Sequence, residues 1–393
     1  MNQQRIGFVF NTLGITGGVH VIYRWAQILV SLKYQVDIIV LEYHPHLVIG
    51  FLDPKQAGFE IINLSTAKKR SYHLILATWW ETLYALPELS SQRYGLFAQA
   101  LESQFYNTND PRILEYDLLM SFPLPIITIA HWLKNHYIKT YGIDDSFIQV
   151  AINPIDHHLF NTCVENNFSN SKTPTFLIEG NAQDPRKNIP LSIQILESTK
   201  TPYIWVGSKI DTRLIGPHCR GTHEQVSYKD MPKIYKRCEV LLKLSTAEGM
   251  FGPPLEMFAC KKTAIVWDVA GHEEYMIHGH NSLVLPMYQI NDTINAIEQL
   301  KHNHTFRQQL QKYAYQTAFN WPDWSQYKDV VKQVVTQIPP IDVPRWFNHI
   351  KKHKQKRIQR LRKQPQKFYE EFIKKPLQLK IKQNKTIYRL LKN

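Results

Sequence analysis

Short apolar runs and amphipathic stretches alternate from Arg5 to Gln337. Arg5–Phe10 predicts a strand, Asn11–Gly18 a glycine-containing loop, and Val19–Leu32 a helix with Ile22, Trp25, Ala26, Leu29 and Leu32 at helical spacing. Val36–Leu41, Phe59–Asn63, His73–Ala77, Tyr94–Gln99, Ile126–Ala130 and Phe147–Ile152 read as further strands. The turn at Asn153–Pro154 and the Asn/Ser/Thr-rich stretch 165–174 close this series. A second series opens at Thr175–Glu179 and continues through Tyr203–Val206, Val240–Leu244 and Thr263–Trp267. Its helices are expected at Ile189–Glu197, Met231–Lys236, Pro254–Ala259 and His272–His278, followed by Asp292–Leu300 and Phe306–Ala318. The β-α-β rhythm in both halves predicts an α/β protein of two doubly wound domains facing one cleft, with ligands at the carboxyl ends of parallel strands. The expected divisions are 1–156, 157–320, a terminal helix in 321–338 capped by Asp323 and running over Trp324–Gln337, and a tail over 339–393.

Composition narrows the class. The chain has 393 residues, 44% hydrophobic and 12% aromatic, enough for ordinary globular cores and incompatible with a disordered chain. The four cysteines stand far apart without a C-x-x-C pair, which argues against a disulfide-stapled secreted domain or a cysteine zinc knuckle and fits a reducing compartment. The start resembles no signal peptide, and the uncharged run Leu118–Leu133, broken by Pro123 and Pro125, is too short for a membrane span. The net charge of +14 is a property of the tail: Arg345–Asn393 carries 17 Lys and Arg against Glu370 and Glu371, leaving the preceding residues close to neutral.

Four segments can carry chemistry. Gly14-Ile-Thr-Gly17-Gly18 lies between a strand and a helix, where backbone amides can approach a phosphate, or simply make a tight turn. In Ser245-Thr-Ala-Glu248-Gly-Met-Phe-Gly252-Pro-Pro-Leu-Glu256, Pro253 or Pro254 suits the first helical position, so Glu256 is expected in the first turn, accepting a vicinal diol. Glu248 precedes it by eight residues in a loop, and the competing view is a capping and a surface glutamate. Arg186-Lys187-Asn188, just before a helix, can hold a diphosphate or can be two solvated loop cations. Gln99-Ala-Leu-Glu102 follows a first-domain strand and points toward the cleft if the sheet is as drawn, or is an exposed polar loop. No D-x-D, G-x-S-x-G or H-E-x-x-H occurs. His131 is expected as a helix cap rather than a base.

In this order the segments resemble retaining nucleotide-sugar glycosyltransferases of the GT-B fold, family 4, also called glycosyl transferases group 1. Asn153-Pro-Ile-Asp156…Phe160 resembles that family's N-G-(I/V)-D…F junction, Glu248…Glu256 its E-x7-E, and Gly271…Glu274 and His278-Gly-His-Asn281 its following elements. Gln99-Ala-Leu-Glu102-Ser-Gln-Phe-Tyr106 is similar to a segment of a bacterial polysaccharide subgroup that includes rhamnosyltransferases. The resemblance implies that Glu256 binds the donor ribose and that Glu248 with the Gly249, Met250, Phe251 and Gly252 segment holds the donor sugar. Arg186, Lys187 and the Gly17 and Gly18 amides would neutralise the leaving diphosphate. Gln99 and Glu102 would touch the acceptor or the reacting sugar. Retention of configuration, no obligatory metal or other cofactor, and a glycan or lipid-linked acceptor are implied as well.

The sequence departs from the family at Asn181, where an arginine is frequent and for which Arg186 is the available substitute. Lys261-Lys262 replaces a frequent glycine, and Ser282 replaces another. A GT-B epimerase, an inactive GT-B subunit and a nucleic-acid-binding protein working through its tail stay open as alternatives, although no RNA-binding motif is present. In the tail, Trp346, Phe347, Ile350, Ile358 and Leu361, then Phe368, Tyr369, Phe372 and Ile373, form roughly helical stripes among the cations. They predict a peripheral anchor on anionic membrane, on the inner face of the cytoplasmic membrane of a cytoplasmic protein.

Overall fold

The computed structural model describes residues 4–14, 16–43, 57–106, 109–162 and 173–362. Continuous apolar runs, buried on both faces, build two all-parallel sheets, as expected where helices cover both sides. The first contains β1 (Arg5–Phe10), β2 (Gln35–Val40), β3 (Glu60–Asn63), β4 (Ser71–Ala77), β5 (Ser90–Ala98), β6 (Ile126–Thr128) and β7 (Ile148–Val150), in the order β3-β2-β1-β4-β5-β6-β7. The second contains β8 (Phe176–Glu179), β9 (Tyr203–Gly207), β10 (Cys219–Glu224), β11 (Val240–Lys243), β12 (Thr263–Trp267) and β13 (Leu283–Leu285), in the order β10-β9-β8-β11-β12-β13. Strand order reverses between β1 and β4 in one sheet and between β8 and β11 in the other. These are the switch points where α/β folds bind ligands.

Each sheet has its own core, one around Ile6, Phe8, Trp25 and Phe97, the other around Trp205, Phe258, Ile265 and Trp267. After the second sheet the chain returns to the first. Trp324, Tyr327, Val331, Val334 and Val335 join the first domain's core, and Tyr327 Oη donates to the Ile152 carbonyl at 2.7 Å. Asp323 Oδ1 accepts from the Ser325 amide at 2.6 Å as expected of a cap, but the segment is a 3-10 turn, Trp324–Gln326, followed by a separate α-helix, Lys328–Gln337. Only His272–Glu274 of the expected His272–His278 helix forms, as a 3-10 turn. Cys219 and Cys238 are free thiols, whereas Cys260 is disulfide-bonded, a pairing that the wide cysteine spacing does not predict.

The expected tail anchor is corrected in its first half. Val343–Arg362 forms a helix docked on the first domain. Trp346 and Ile350 are buried in that domain's core, and the Phe347 ring packs edge-on against Tyr94 at 5.1 Å. These side chains are spent on intramolecular packing and are not available to a bilayer. Cations on the same helix meet body carboxylates: Arg357 to Glu81 at 2.6 Å, Arg360 to Glu115 at 2.8 Å and Lys354 to Glu88 at 3.3 Å. The Ile358 and Leu361 side chains, and Phe368, Tyr369, Phe372 and Ile373, lie outside the described residues.

Candidate functional site: a cleft between two switch points

The carboxyl ends of the two sheets face one cavity of about 740 Å³. From the first domain it takes Asn11, Gly17, Gly18, Trp79, Gln99, Glu102 and Phe105. From the second it takes Glu179, Asn181, Arg186, Lys187, Tyr235, Lys243, Glu248, Gly249, Met250, Gly252 and Glu256. Of the expected site residues only Phe251 is absent from this lining. It is the N-cap of the next helix and its ring is wholly buried in the second core.

Glu248 is held by two cations. Lys187 Nζ donates to its Oε1 at 2.7 Å, and Lys243 Nζ lies 3.2 Å from the same atom. Burial alone would push the Glu248 carboxyl up, but the two ammonium groups outweigh it and hold it at about 2. Glu256 behaves in the opposite way. The helix that carries it begins at Gly252, so Pro253 and Pro254 are its second and third residues and Glu256 lies in the second turn, not the first. Burial and the neighbouring Glu179 outweigh the hydrogen bond that Tyr235 Oη donates to Oε2 at 2.5 Å, raising Glu256 to about 7. Of this pair, Glu248 is firmly ionised and Glu256 titrates near neutrality.

The expected diphosphate cations are both engaged. Arg186 is clamped by Asp184 at 2.9 and 2.7 Å, and its guanidinium lies over the Phe105 ring, 3.6 Å from the centroid, across the cleft. Phe105 in turn stacks on Trp79 at 5.7 Å. At the glycine loop, Thr16 caps the helix Gly17–Ser31 by accepting from the Val19 amide at 3.3 Å. Gln99 reaches back to this helix, its Nε2 donating to the Gly18 carbonyl at 3.1 Å. Glu102 is almost fully buried, and its Oε2 accepts from the Trp80 amide at 2.6 Å. Its carboxyl is pushed well above the usual range by burial. Burial and Arg24 move His20 the other way, down to about 4, so it stays neutral.

The two domains touch at positions that sequence reasoning did not single out as a group. Trp132 Nε1 donates to the Gly249 carbonyl at 2.6 Å. Glu274 caps the first-domain helix His131–Tyr141, accepting from the Trp132 amide at 2.9 Å and meeting His131 Nδ1 at 3.0 Å. His131 is therefore not the cap expected of it but sits beside a cap supplied across the cleft. Two glycines make the approach possible. A Cβ on Gly249 would fall 1.7 Å from the Gln99 carbonyl oxygen. Gly271, at a φ of +102°, would place one 2.4 Å from the Gly249 carbonyl oxygen. Asn281, buried, donates to the Tyr275 carbonyl at 2.8 Å and closes a local turn outside the cleft.

Sequence reasoning also passed over Lys243, Glu179 and Tyr235. Lys243 sits inside the apolar run Val240–Leu244, and the carboxylate its side chain meets, Glu179, is 64 residues away in sequence. The one available signal was a lysine inside an apolar run, Val240–Leu244, that leads into the Glu248 loop.

Residues 168–317, most of the second domain, match the family model described as glycosyl transferases group 1. No curated protein matches the chain significantly. Among solved structures, the chain is similar to sucrose-phosphate synthase from Thermosynechococcus elongatus at 12% identity and a TM-score of 0.68, over 86% of this chain and 99% of that one. It is similar to HepE from Anabaena, solved in complex with UDP-glucose, at 15% identity and a TM-score of 0.64, over 85% and 100%. A glycosyltransferase from Rickettsia africae ESF-5 aligns at 14% identity and a TM-score of 0.60, over 85% and 99%. At such identities the likeness shows the fold, which is GT-B. Together with the family match over the second domain, it supports a glycosyltransferase.

Proposed function

We propose that this protein transfers a sugar from a nucleotide-sugar donor to a glycan or lipid-linked acceptor, with retention of configuration and without an obligatory metal. The observation that carries the reading is the pairing of Glu248 and Glu256 in one cleft between two switch points, with Lys187 and Arg186 beside them. When ionised, Glu256 can accept both hydroxyls of a ribose diol. Glu248 keeps Oε2 for sugar hydroxyls while Oε1 is held by Lys187 and Lys243. Arg186, Lys187 and the amides at the start of the Gly17–Ser31 helix offer positive charge to a departing diphosphate, whose charge grows as the glycosidic bond breaks. This supply of charge, with the lack of D-x-D in the sequence, supports chemistry independent of a divalent ion.

The first-domain wall offers the acceptor side. Trp79 and Phe105 present aromatic surface, and Gln99 and Glu102 stand next to them. The neighbour bound to UDP-glucose makes a UDP-sugar the first donor to test. Exposed Arg345, Lys351, Lys352 and Lys356 on the docked helix, with the basic residues that follow, favour contact with an anionic membrane surface. Among the described residues no helix is long and apolar enough to cross a membrane. A thermal-shift screen of UDP-, GDP-, ADP- and dTDP-sugars tests the reading: one nucleotide class should raise the melting temperature in a saturable way. No shift with any of them counts against it.

A further inference from the structure

β8 and β11 are neighbours at the switch point of the second sheet, with Leu242 opposite Ile178. The next residues along, Lys243 and Glu179, meet at the carboxyl edge, where Lys243 Nζ donates to Glu179 Oε2 at 2.6 Å. The same ammonium lies 3.2 Å from Glu248 Oε1. The Lys243 side chain is only 1% exposed, yet the residue lines the cleft. A buried ammonium is tolerated only when paired and hydrogen-bonded. Here burial opposes the charge, and the carboxylates of Glu179 and Glu248 overcome it, so the lysine stays protonated.

The arrangement has a second consequence. Glu179, Glu248 and Glu256, from β8, the loop after β11 and the helix that follows, bring three carboxyl groups to the place where the proposed donor is to bind. Arg186 is paired with Asp184, and among the described residues Lys187 and Lys243 are the cations within ion-pair distance of Glu248. Asn181, one residue past Gly180 after β8, brings no charge.

We propose that Lys243 is a positioning residue of this cleft: it fixes the Glu248 carboxylate together with Lys187 and offsets Glu179, so that an anionic nucleotide can enter among three carboxyl groups. The consequence for nucleotide binding rests on the function proposed above; the hold on Glu248 does not.

The test compares wild type, Lys243→Met and Lys243→Arg. Glutamate side-chain carboxyl carbons are followed by NMR against pH, with Glu248→Gln identifying the Glu248 signal, and UDP binding is followed by calorimetry. Facing Glu248 are Lys187 from the 3-10 turn Pro185–Lys187 and Lys243 from β11, with Glu179 and Glu256 beyond, and only Lys243 is changed. In Lys243→Met the Glu248 titration should rise by about one pH unit or more, and UDP affinity should fall about tenfold or more. Lys243→Arg should recover most of both. If Lys243→Met does not fold, Lys243→Met/Glu179→Gln removes the buried pair together and should fold with the same rise at Glu248. An unchanged Glu248 titration in a folded variant overturns the inference. A Glu248 response in a protein that never binds UDP keeps the positioning role and removes the UDP-sugar reading.

Discussion

The indole N–H of Trp132, in the first domain, donates to the carbonyl oxygen of Gly249, in the second, at 2.6 Å. Gly249 follows Glu248 directly, so the loop that positions the ionised carboxylate is itself latched to the opposite wall of the cleft. Glu274 adds a second latch by capping the helix that carries Trp132. The closed cleft is thus written into side chain-to-backbone bonds that need both domains in place.

Removing the latch should open the cleft without unfolding either sheet. Trp132→Phe deletes one hydrogen bond, a loss of about 0.5–1.5 kcal/mol. Small-angle scattering should show a larger radius of gyration for this variant, and more so for Trp132→Phe/Glu274→Gln. Identical scattering curves for variant and wild type would show that these bonds do not hold the domains together.

The two glutamates predict opposite pH dependences. Glu248 is depressed from its ordinary 4.5 to about 2, so its contribution to stability is complete above 4.5 and is lost as pH falls toward 2. Glu256 is raised to about 7, so the folded state binds the extra proton and stability contributed by this group declines as pH rises from 4.5 to 7. Donor binding should move the other way, strengthening as pH rises through 7 and Glu256 becomes a full acceptor. A pH series of nucleotide affinities for wild type and Glu256→Gln checks this, with the rise expected in wild type only.

The docked helix makes a separate prediction. Trp346 is buried against Tyr94, with ring centroids 6.3 Å apart. Trp346→Ala should cost about 3–5 kcal/mol of stability, measured by denaturant unfolding. Lys351→Glu/Lys352→Glu/Lys356→Glu, on the exposed side of the same helix, should leave stability nearly unchanged and weaken co-sedimentation with anionic vesicles. Equal sedimentation of that variant and wild type would show that this face does not meet the membrane.

The proposed function predicts that turnover survives EDTA at the rate seen in added Mg²⁺ or Mn²⁺, with Lys187 and Arg186 as the groups proposed to face the diphosphate. Activity lost in EDTA and restored by Mn²⁺ would redirect attention to carboxylate ligands for a metal.

How much of this was legible in the sequence follows from where the signal lay. Strands buried on both faces announce themselves as apolar runs, and Arg5–Phe10 and Thr263–Trp267 fold with the bounds their hydrophobicity suggests. β10 gave no such signal because it lies at a sheet edge and alternates half-buried and exposed positions, with polar residues on both faces. Glu248, Glu256, Arg186 and Lys187 stood out because the ordered set of local motifs they belong to resembles that of a glycosyltransferase family. Lys243–Glu179 and Trp132–Gly249 did not, since each pair joins distant segments through the tertiary fold. The docking of the tail helix on the body was illegible for the same reason. Its helical stripe of Trp346 and Ile350 was visible, but Glu81, Glu88 and Glu115, which draw its cations onto the body, lie far away in the chain.

The central claim is that Glu256 grips the ribose of a nucleotide-sugar donor. Isothermal titration calorimetry of wild type and Glu256→Ala, above pH 7 and with the nucleotide that most stabilises the wild type, tests it most directly. The variant should keep its fold and lose about 1.5–3 kcal/mol of binding free energy, the worth of hydrogen bonds to a charged group. Equal affinity in the two proteins would contradict the account.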